Sequence, residues 1–193
     1  MQATYDTIAQ SFSSTRYAIW NCVGQFIDSL NAYSTMLDVG CGNGKYAQYR
    51  KDLIWLGCDM SLELLKIAKA KNNTTVHANI THLPYKDNSF DATICIAVLH
   101  HLQTDQERLQ ALREIIRVTR DTSLVTVWAR EQEIKPKWQD LGNGDFLIPW
   151  QNTVMRYYHL FTKDEFESLL IRAGCPYELT FEKDNWCVRI QKN

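Results

Sequence analysis

The segment 37–46, LDVGCGNGKY, constrains this chain more than any other. A short apolar run ends in Gly40, Gly42 and Gly44 and passes directly into a helix-like stretch predicted over about 44–51. A strand of this kind delivers a glycine loop whose backbone N–H groups can approach a ligand with no Cβ in the way. About fifteen residues after Gly44, a second run, 54–58 (IWLGC), ends in Asp59, whose carboxylate can accept two hydrogen bonds from a ribose diol. A glycine loop with an acid at the tip of the next strand marks an adenosine-type ligand at the carboxyl end of a parallel sheet.

The remaining periodicity supports such a sheet. Two helices open the chain, 4–13 with Tyr5, Ile8, Ala9 and Phe12 on one face, and 17–31 with Ile19, Val23, Phe26, Ile27 and Leu30. A helix over 61–71 starts at Ser61, and strands follow at 75–78 and 91–97. Thr104 with Glu107 and Thr162 with Glu165 form capping boxes that begin helices 105–118 and 163–173, the latter ending at Gly174. A strand is predicted at 123–129, and 176–182 with 186–191 read as a terminal antiparallel hairpin. The expected fold is α/β: a mostly parallel, doubly wound sheet with helices on both faces. With no repeat or linker, 193 residues are expected to form one domain, 1–193, with 1–33 as an N-terminal helical lid.

A dinucleotide fingerprint has the spacing G-x-G-x-x-G, but here the third glycine comes one residue earlier and Asp38 precedes the first. The segment resembles the first motif of class I S-adenosylmethionine-dependent methyltransferases, D-x-G-x-G-x-G. Such a cofactor has no pyrophosphate to bind, and its cationic amino group and sulfonium tolerate a nearby acid. The resemblance makes Asp38, Gly40, Gly42, Gly44, Asp59 and Met60 cofactor-binding residues. Asn79 and Ile80 stand where such enzymes contact the adenine, commonly through an Asp, and Ala97 lies in the motif beside the transferable methyl. A nicotinamide-dependent enzyme is the alternative that the glycine spacing disfavours.

Further blocks narrow the family. Tyr5 to Arg16 followed by Trp20, GCGNGKY (40–46), CIAVLHHL (95–102), WAREQE (128–133), DFLIPW (145–150), RYYHLF (156–161) and EKDNWCVRIQK (182–192) are similar to the eukaryotic tRNA wobble-uridine carboxyl methyltransferases. Those enzymes methylate the carboxylate of 5-carboxymethyluridine in anticodons. Members often carry a long charged insertion between the P-W and R-Y-Y-H blocks, whereas here five residues separate Trp150 from Arg156. The turn before the fifth strand reads Arg120-Asp121-Thr122 in place of the usual Pro-Gly-Gly.

A carboxylate is already anionic near neutral pH, so no general base is required. The enzyme must orient it in line with the methyl and exclude water. The expected substrate residues are therefore Arg16 and Arg156 for the carboxylate or phosphates, His101 as a hydrogen-bond donor, and Trp128 and Tyr157 as aromatic walls for a flipped base. The resemblance also implies the tRNA anticodon loop as substrate and a small zinc-binding activator as partner, docked on the edge strand near Thr74–Ala78. Two other readings stay open: a small-molecule or protein carboxyl methyltransferase, and a non-catalytic subunit that binds S-adenosylmethionine.

The net charge of −1 at first argues against a nucleic-acid partner. A reaction at one flipped base needs only a local cluster, for which Arg16, Arg130, Lys135, Lys137 and Arg156 are the candidates. The longest apolar run, 94–99, is far short of a membrane span, and no secretory signal pattern opens the chain, so a cytoplasmic protein is expected. The six cysteines contain no C-x-x-C pair, which suggests neither a disulfide framework nor a metal site. Cys41, Cys58 and Cys95, in apolar runs, read as small buried hydrophobes.

Overall fold

The computed structural model describes residues 2–151 and 153–192. Strands β1 (Thr35–Val39), β2 (Ile54–Asp59), β3 (Thr75–His77), β4 (Phe90–Ile96) and β5 (Thr119–Trp128) run parallel. They join the antiparallel hairpin strands β9 (Tyr177–Glu182) and β10 (Asn185–Gln191) in a seven-stranded sheet of order β3-β2-β1-β4-β5-β10-β9. Strand order reverses between β1 and β4, and the crevice beyond the carboxyl ends of strands at such a point is where doubly wound sheets bind ligands.

Period-two alternation explains why both faces are covered. On β1, Leu37 and Val39 join a core beneath α4 (Asp105–Val118) and α5 (Lys163–Ala173), while Met36 faces a second core. That second core packs Val23, Phe26 and Ile27 of α2 (Asn21–Asp28) against Ala92, Ile94 and Ile96 of β4. Three of the caps form as the sequence indicates: Ser61 accepts the Leu64 N–H at the start of α3 (Leu62–Ala70), Thr104 and Glu107 close a reciprocal capping box, and α5 ends at Gly174 with φ 81°. The box expected of Thr162 and Glu165 forms only by half: Thr162 accepts the Glu165 N–H, while the Glu165 carboxylate turns to His159 Nε2 at 2.7 Å. Cys41, Cys58 and Cys95 are buried.

Four departures from the sequence reading have local causes. The predicted helix at 44–51 is a single 3-10 turn, Tyr46–Gln48, because so short a stretch behind three glycines cannot meet the cost of helix nucleation. The predicted helix 17–31 shrinks to α2. The Asn43 side chain donates to the Arg16 carbonyl and the Lys45 ammonium to the Ala18 carbonyl, which claims backbone that a longer helix would need. Arg120-Asp121-Thr122 is no turn but part of β5, which follows α4 directly through Thr119.

The fourth departure is a second sheet, β6 (Gln139–Gly142), β7 (Asp145–Trp150) and β8 (Val154–His159), which the sequence reading left without strands. Its turn is Asn143-Gly144, with φ 54° and 84°, the positive angles that make Asn-Gly a strong hairpin signal. Phe146, Ile148, Tyr158 and Leu160 form its core against Trp128 and Trp138. Together with α1 (Gln2–Ser13), this sheet walls the carboxyl end of the main one.

Candidate active site

A cleft opens at the carboxyl ends of β1, β2 and β4. A second adjoins it. Tyr5, Phe12, Arg16, Lys45, Ala97 and His101 line both. The first is walled by the glycine loop, Asp59, Met60, Ile80 and α1, and the second adds His100, Trp128 and Tyr158.

Three glycines hold the loop for different reasons. Gly40, at φ 75°, lies so close to Val98 that an added Cβ would fall 2.3 Å from its Cγ2. Gly42, at φ 54°, has open space where a Cβ would stand, and it lines the first cleft. Gly44 meets α3 and Asn73 instead, outside the cleft wall. Asp59 is oriented by two backbone donors, Gly42 N–H at 2.9 Å and Ser61 N–H at 2.8 Å, which leaves lone pairs for a ligand. Burial raises its pKa.

Asp38 comes one residue before the wall begins at Val39. It is buried, its Oδ2 has no hydrogen-bond partner, and burial with the nearby Asp59 charge pushes its pKa up to about 7. Ala97, at φ 59°, is held by Thr126, whose carbonyl and hydroxyl accept its N–H at 3.1 and 3.0 Å. Strained backbone of this kind persists where surrounding contacts over-determine it. Asn79, by contrast, is exposed, and its Oδ1 accepts the Thr81 N–H at 3.0 Å, while its neighbours Ala78 and Ile80 form the wall.

Of the substrate candidates, Arg16, His101 and Trp128 reach the second cleft. Both His101 nitrogens are engaged: Nδ1 lies 2.9 Å from the Tyr157 carbonyl and Nε2 lies 2.8 Å from the Tyr5 hydroxyl. A carbonyl can only accept, so Nδ1 carries the proton and Nε2 accepts from Tyr5. Burial lowers the His101 pKa to about 3, and in this arrangement the ring has no N–H to offer a ligand. His100 Nδ1 accepts the Trp128 N–H at 3.1 Å, which places its proton on Nε2, and burial lowers its pKa.

Arg156 and Tyr157 point to opposite faces of β8, as strand alternation requires. The Tyr157 hydroxyl donates to Asp145 at 2.6 Å, away from the clefts, and only its carbonyl serves the site by orienting His101. Arg156 is buried, stacked over Trp150 at 4.8 Å and Tyr158 at 5.1 Å, with Nε and Nη1 unpartnered, yet it lines neither cleft. Tyr5, Lys45 and Tyr158 are wall residues that the sequence reading did not select. Tyr5 stood on the apolar face of the first helix, and Lys45 directly follows Gly44. Tyr158 shares the Arg156 face by period two.

The α1 helix closes this site through polar ties. Asp6 accepts from the Ser61 hydroxyl at 2.6 Å and the Glu63 N–H at 3.2 Å, Asn43 donates to Ser13, and Trp150 Nε1 donates to the Ser11 hydroxyl at 2.9 Å.

Comparison with known proteins adds sequence relatives to this geometry. The family model described as "Methyltransferase domain" matches residues 37–127. A Schizosaccharomyces pombe protein named tRNA (carboxymethyluridine(34)-5-O)-methyltransferase is 35% identical over 98% of this chain and 94% of its own length. An Arabidopsis thaliana protein of the same name is 45% identical over 72% of this chain, which spans only 35% of that relative. Among solved structures, a Methanosarcina mazei S-adenosylmethionine-dependent methyltransferase superposes with a TM-score of 0.75 at 20% identity, covering 90% of this chain and 98% of that one. A Haloferax volcanii methyltransferase, solved in complex with the Trm112 methyltransferase activator, gives 0.78 at 15% identity, covering 98% and 96%.

Proposed function

This chain belongs to the tRNA (carboxymethyluridine(34)-5-O)-methyltransferase family, and we propose that it transfers a methyl group to the carboxylate of 5-carboxymethyluridine at the tRNA wobble position. S-adenosylmethionine is the cofactor, and the first cleft fits it. Asp59 presents a fixed carboxylate suited to a ribose diol, Gly42 leaves its side-chain space open, and the orphaned Asp38 Oδ2 suits a nearby cationic group. When bound, the cofactor supplies an electrophilic methyl on a sulfonium. Gly44 and Asn79 lie off the wall, so their part is to brace the loop and the turn beneath it.

The observation that carries this reading is the junction of the two clefts. Arg16 stands on the shared wall with its guanidinium 4.6 Å over Phe12, while burial keeps His100 and His101 neutral and their accepting nitrogens are taken by the Trp128 N–H and the Tyr5 hydroxyl. Such a site holds an anion and offers no general base, which suits a nucleophile that arrives ionised. Trp128 and Tyr158 present aromatic faces to a base taken out of its stack. Arg156, behind Tyr158, places positive charge near that compartment and keeps Tyr158 in position.

Within the expected lid, residues 1–33, it is α1 that closes over cofactor and substrate, whereas α2 is packed into the core against β4. The activator partner docks along β3, an exposed sheet edge of three residues, by adding to its unpaired backbone. The Haloferax structure, a similar fold solved with an activator, supports a partner of that kind. The site of action on tRNA is taken to be cytoplasmic; no helix among the described residues is long and apolar enough to cross a membrane.

The test is methyl transfer from labelled cofactor to synthetic anticodon stem-loops bearing 5-carboxymethyluridine, with and without the activator. The expected product is the methyl ester, formed faster with activator present. Label appearing only in protein or in small carboxylic acids would replace this reading with the corresponding carboxyl methyltransferase. Cofactor binding without transfer to any acceptor would make the chain a non-catalytic subunit.

A further inference from the structure

Away from both clefts, two cysteines distant in sequence meet. Cys22, in the first turn of α2, and Cys187, in the middle of β10, have their sulfurs 3.1 Å apart although 165 positions separate them. The carboxylate of Glu182, on β9, lies within 4.8 Å of both, and its Oε2 accepts the Cys22 N–H at 2.8 Å. Among the described residues no other pair of sulfurs is in such contact.

We propose that Cys22 and Cys187 are a redox modification site, a thiol pair that closes reversibly into a disulfide stapling α2 to the terminal hairpin. The sulfurs need to approach by only about 1 Å to reach bonding distance. Access is asymmetric in the way the chemistry requires: Cys22 is half-buried and can meet an oxidant, while Cys187 is 2% exposed and can only resolve what forms on Cys22. Glu182 is the nearest acceptor for the departing proton.

The oxidant is a low-molecular-weight disulfide such as oxidised glutathione. The Cys22 thiolate attacks one of its sulfurs and releases one glutathione thiolate, which takes up a proton. The Cys187 thiolate then displaces the second glutathione from Cys22. In sum, two protein thiols lose two electrons and two protons, and one glutathione disulfide becomes two thiols. The hydrogen bond to Cys187, burial and the Glu182 carboxylate all hold the Cys22 thiol above its usual range, so closure is slow at neutral pH and calls for equilibration in a redox buffer. In a reducing compartment the pair stays open.

The staple acts on the site through Trp20, which precedes α2 directly and lines both clefts. Fixing α2 fixes one end of the segment joining it to α1, so cofactor release slows in the oxidised chain. This consequence rests on reading the first cleft as the cofactor site, whereas the crosslink does not.

The experiment equilibrates the full chain in graded mixtures of reduced and oxidised glutathione, alkylates free thiols and maps peptides by mass spectrometry. The expected result is a Cys22–Cys187 peptide pair two hydrogens lighter than the dithiol, reversed by dithiothreitol and absent in Cys22→Ser. Oxidation should also raise the melting temperature by roughly 5–15 °C. Because Cys187→Ser alters the core, Cys22→Ser carries the comparison. Glutathione that stays on Cys22 without ring closure, or crosslinks confined to other cysteines, would overturn the proposal. So would a chelator-removable divalent metal shielding both thiols, which would assign the trio as a metal site. A crosslink that leaves the cofactor release rate unchanged would remove the coupling, and a crosslink in a chain that binds no cofactor would refute the cofactor reading alone.

Discussion

Gly40 and Gly42 share a left-handed backbone but differ in what surrounds them, and that difference predicts opposite phenotypes. A methyl on Gly40 meets Val98 at 2.3 Å on top of its backbone strain, so Gly40→Ala is expected to cost about 2–4 kcal/mol in chemical denaturation. Gly42→Ala meets nothing in the protein and should remain folded, while its methyl enters the cleft and weakens S-adenosylmethionine binding about tenfold or more by calorimetry. Asp38 adds a pH signature. Folded, it keeps its proton up to about pH 7, whereas its ordinary value is 3.8, so the folded state binds more protons across that window and loses stability as pH rises through it. The ligand-free melting temperature of the wild type should therefore fall relative to that of Asp38→Asn between those pH values; parallel curves would show that the carboxyl ionises freely. Arg156, with two buried unpartnered nitrogens, weakens the fold that contains it. Arg156→Met is expected to raise the melting temperature while lowering methyl transfer, a pairing that a purely structural arginine would not give.

The α1 helix buries only Ile8 and Ala9 fully, so it is held by the ties of Asp6, Ser11, Ser13 and Tyr5 more than by a core. An element attached in this way opens locally at low cost. Asn43→Ala removes the bonds to Ser13 and Arg16 without touching the sheet. It should speed cofactor release about tenfold in a chase experiment, with amide exchange rising in α1 and unchanged in β4. The main strands and capped helices were legible in the sequence because their signals are local: short apolar runs along β1 and β4, Thr104 with Glu107, and Gly174 after α5. The β6–β7 hairpin carried one local signal, Asn143-Gly144, but weak alternation in the exposed β6 hid it and no strand was expected there. By contrast, nothing local shows that 16–20 leaves the helical path, since the side chains that capture it come from the glycine loop.

At the scale of the whole molecule, the charge that first argued against an RNA substrate is distributed unevenly. Arg130, Lys135 and Lys137 are exposed on the connection leading to β6, whereas Arg156 is interior and contributes no surface charge to a phosphate backbone. So small a basic surface should bind an anticodon stem-loop weakly, with affinity rising when the proposed activator is added; tight, salt-resistant binding by the isolated chain in a filter assay would contradict this. By itself, the sequence determined the sheet, the glycine loop and its acid, and hence the kind of ligand the first cleft takes, because a strand, a tight loop and a cap are each written within a few consecutive residues. Tertiary structure alone decided that Tyr5 occupies the only free nitrogen of His101, that Arg156 is buried while Tyr157 turns away, and that Cys22 meets Cys187. Those contacts join residues 96 and 165 positions apart, and which groups meet across such distances is set by how sheet, N-terminal helices and hairpin pack together.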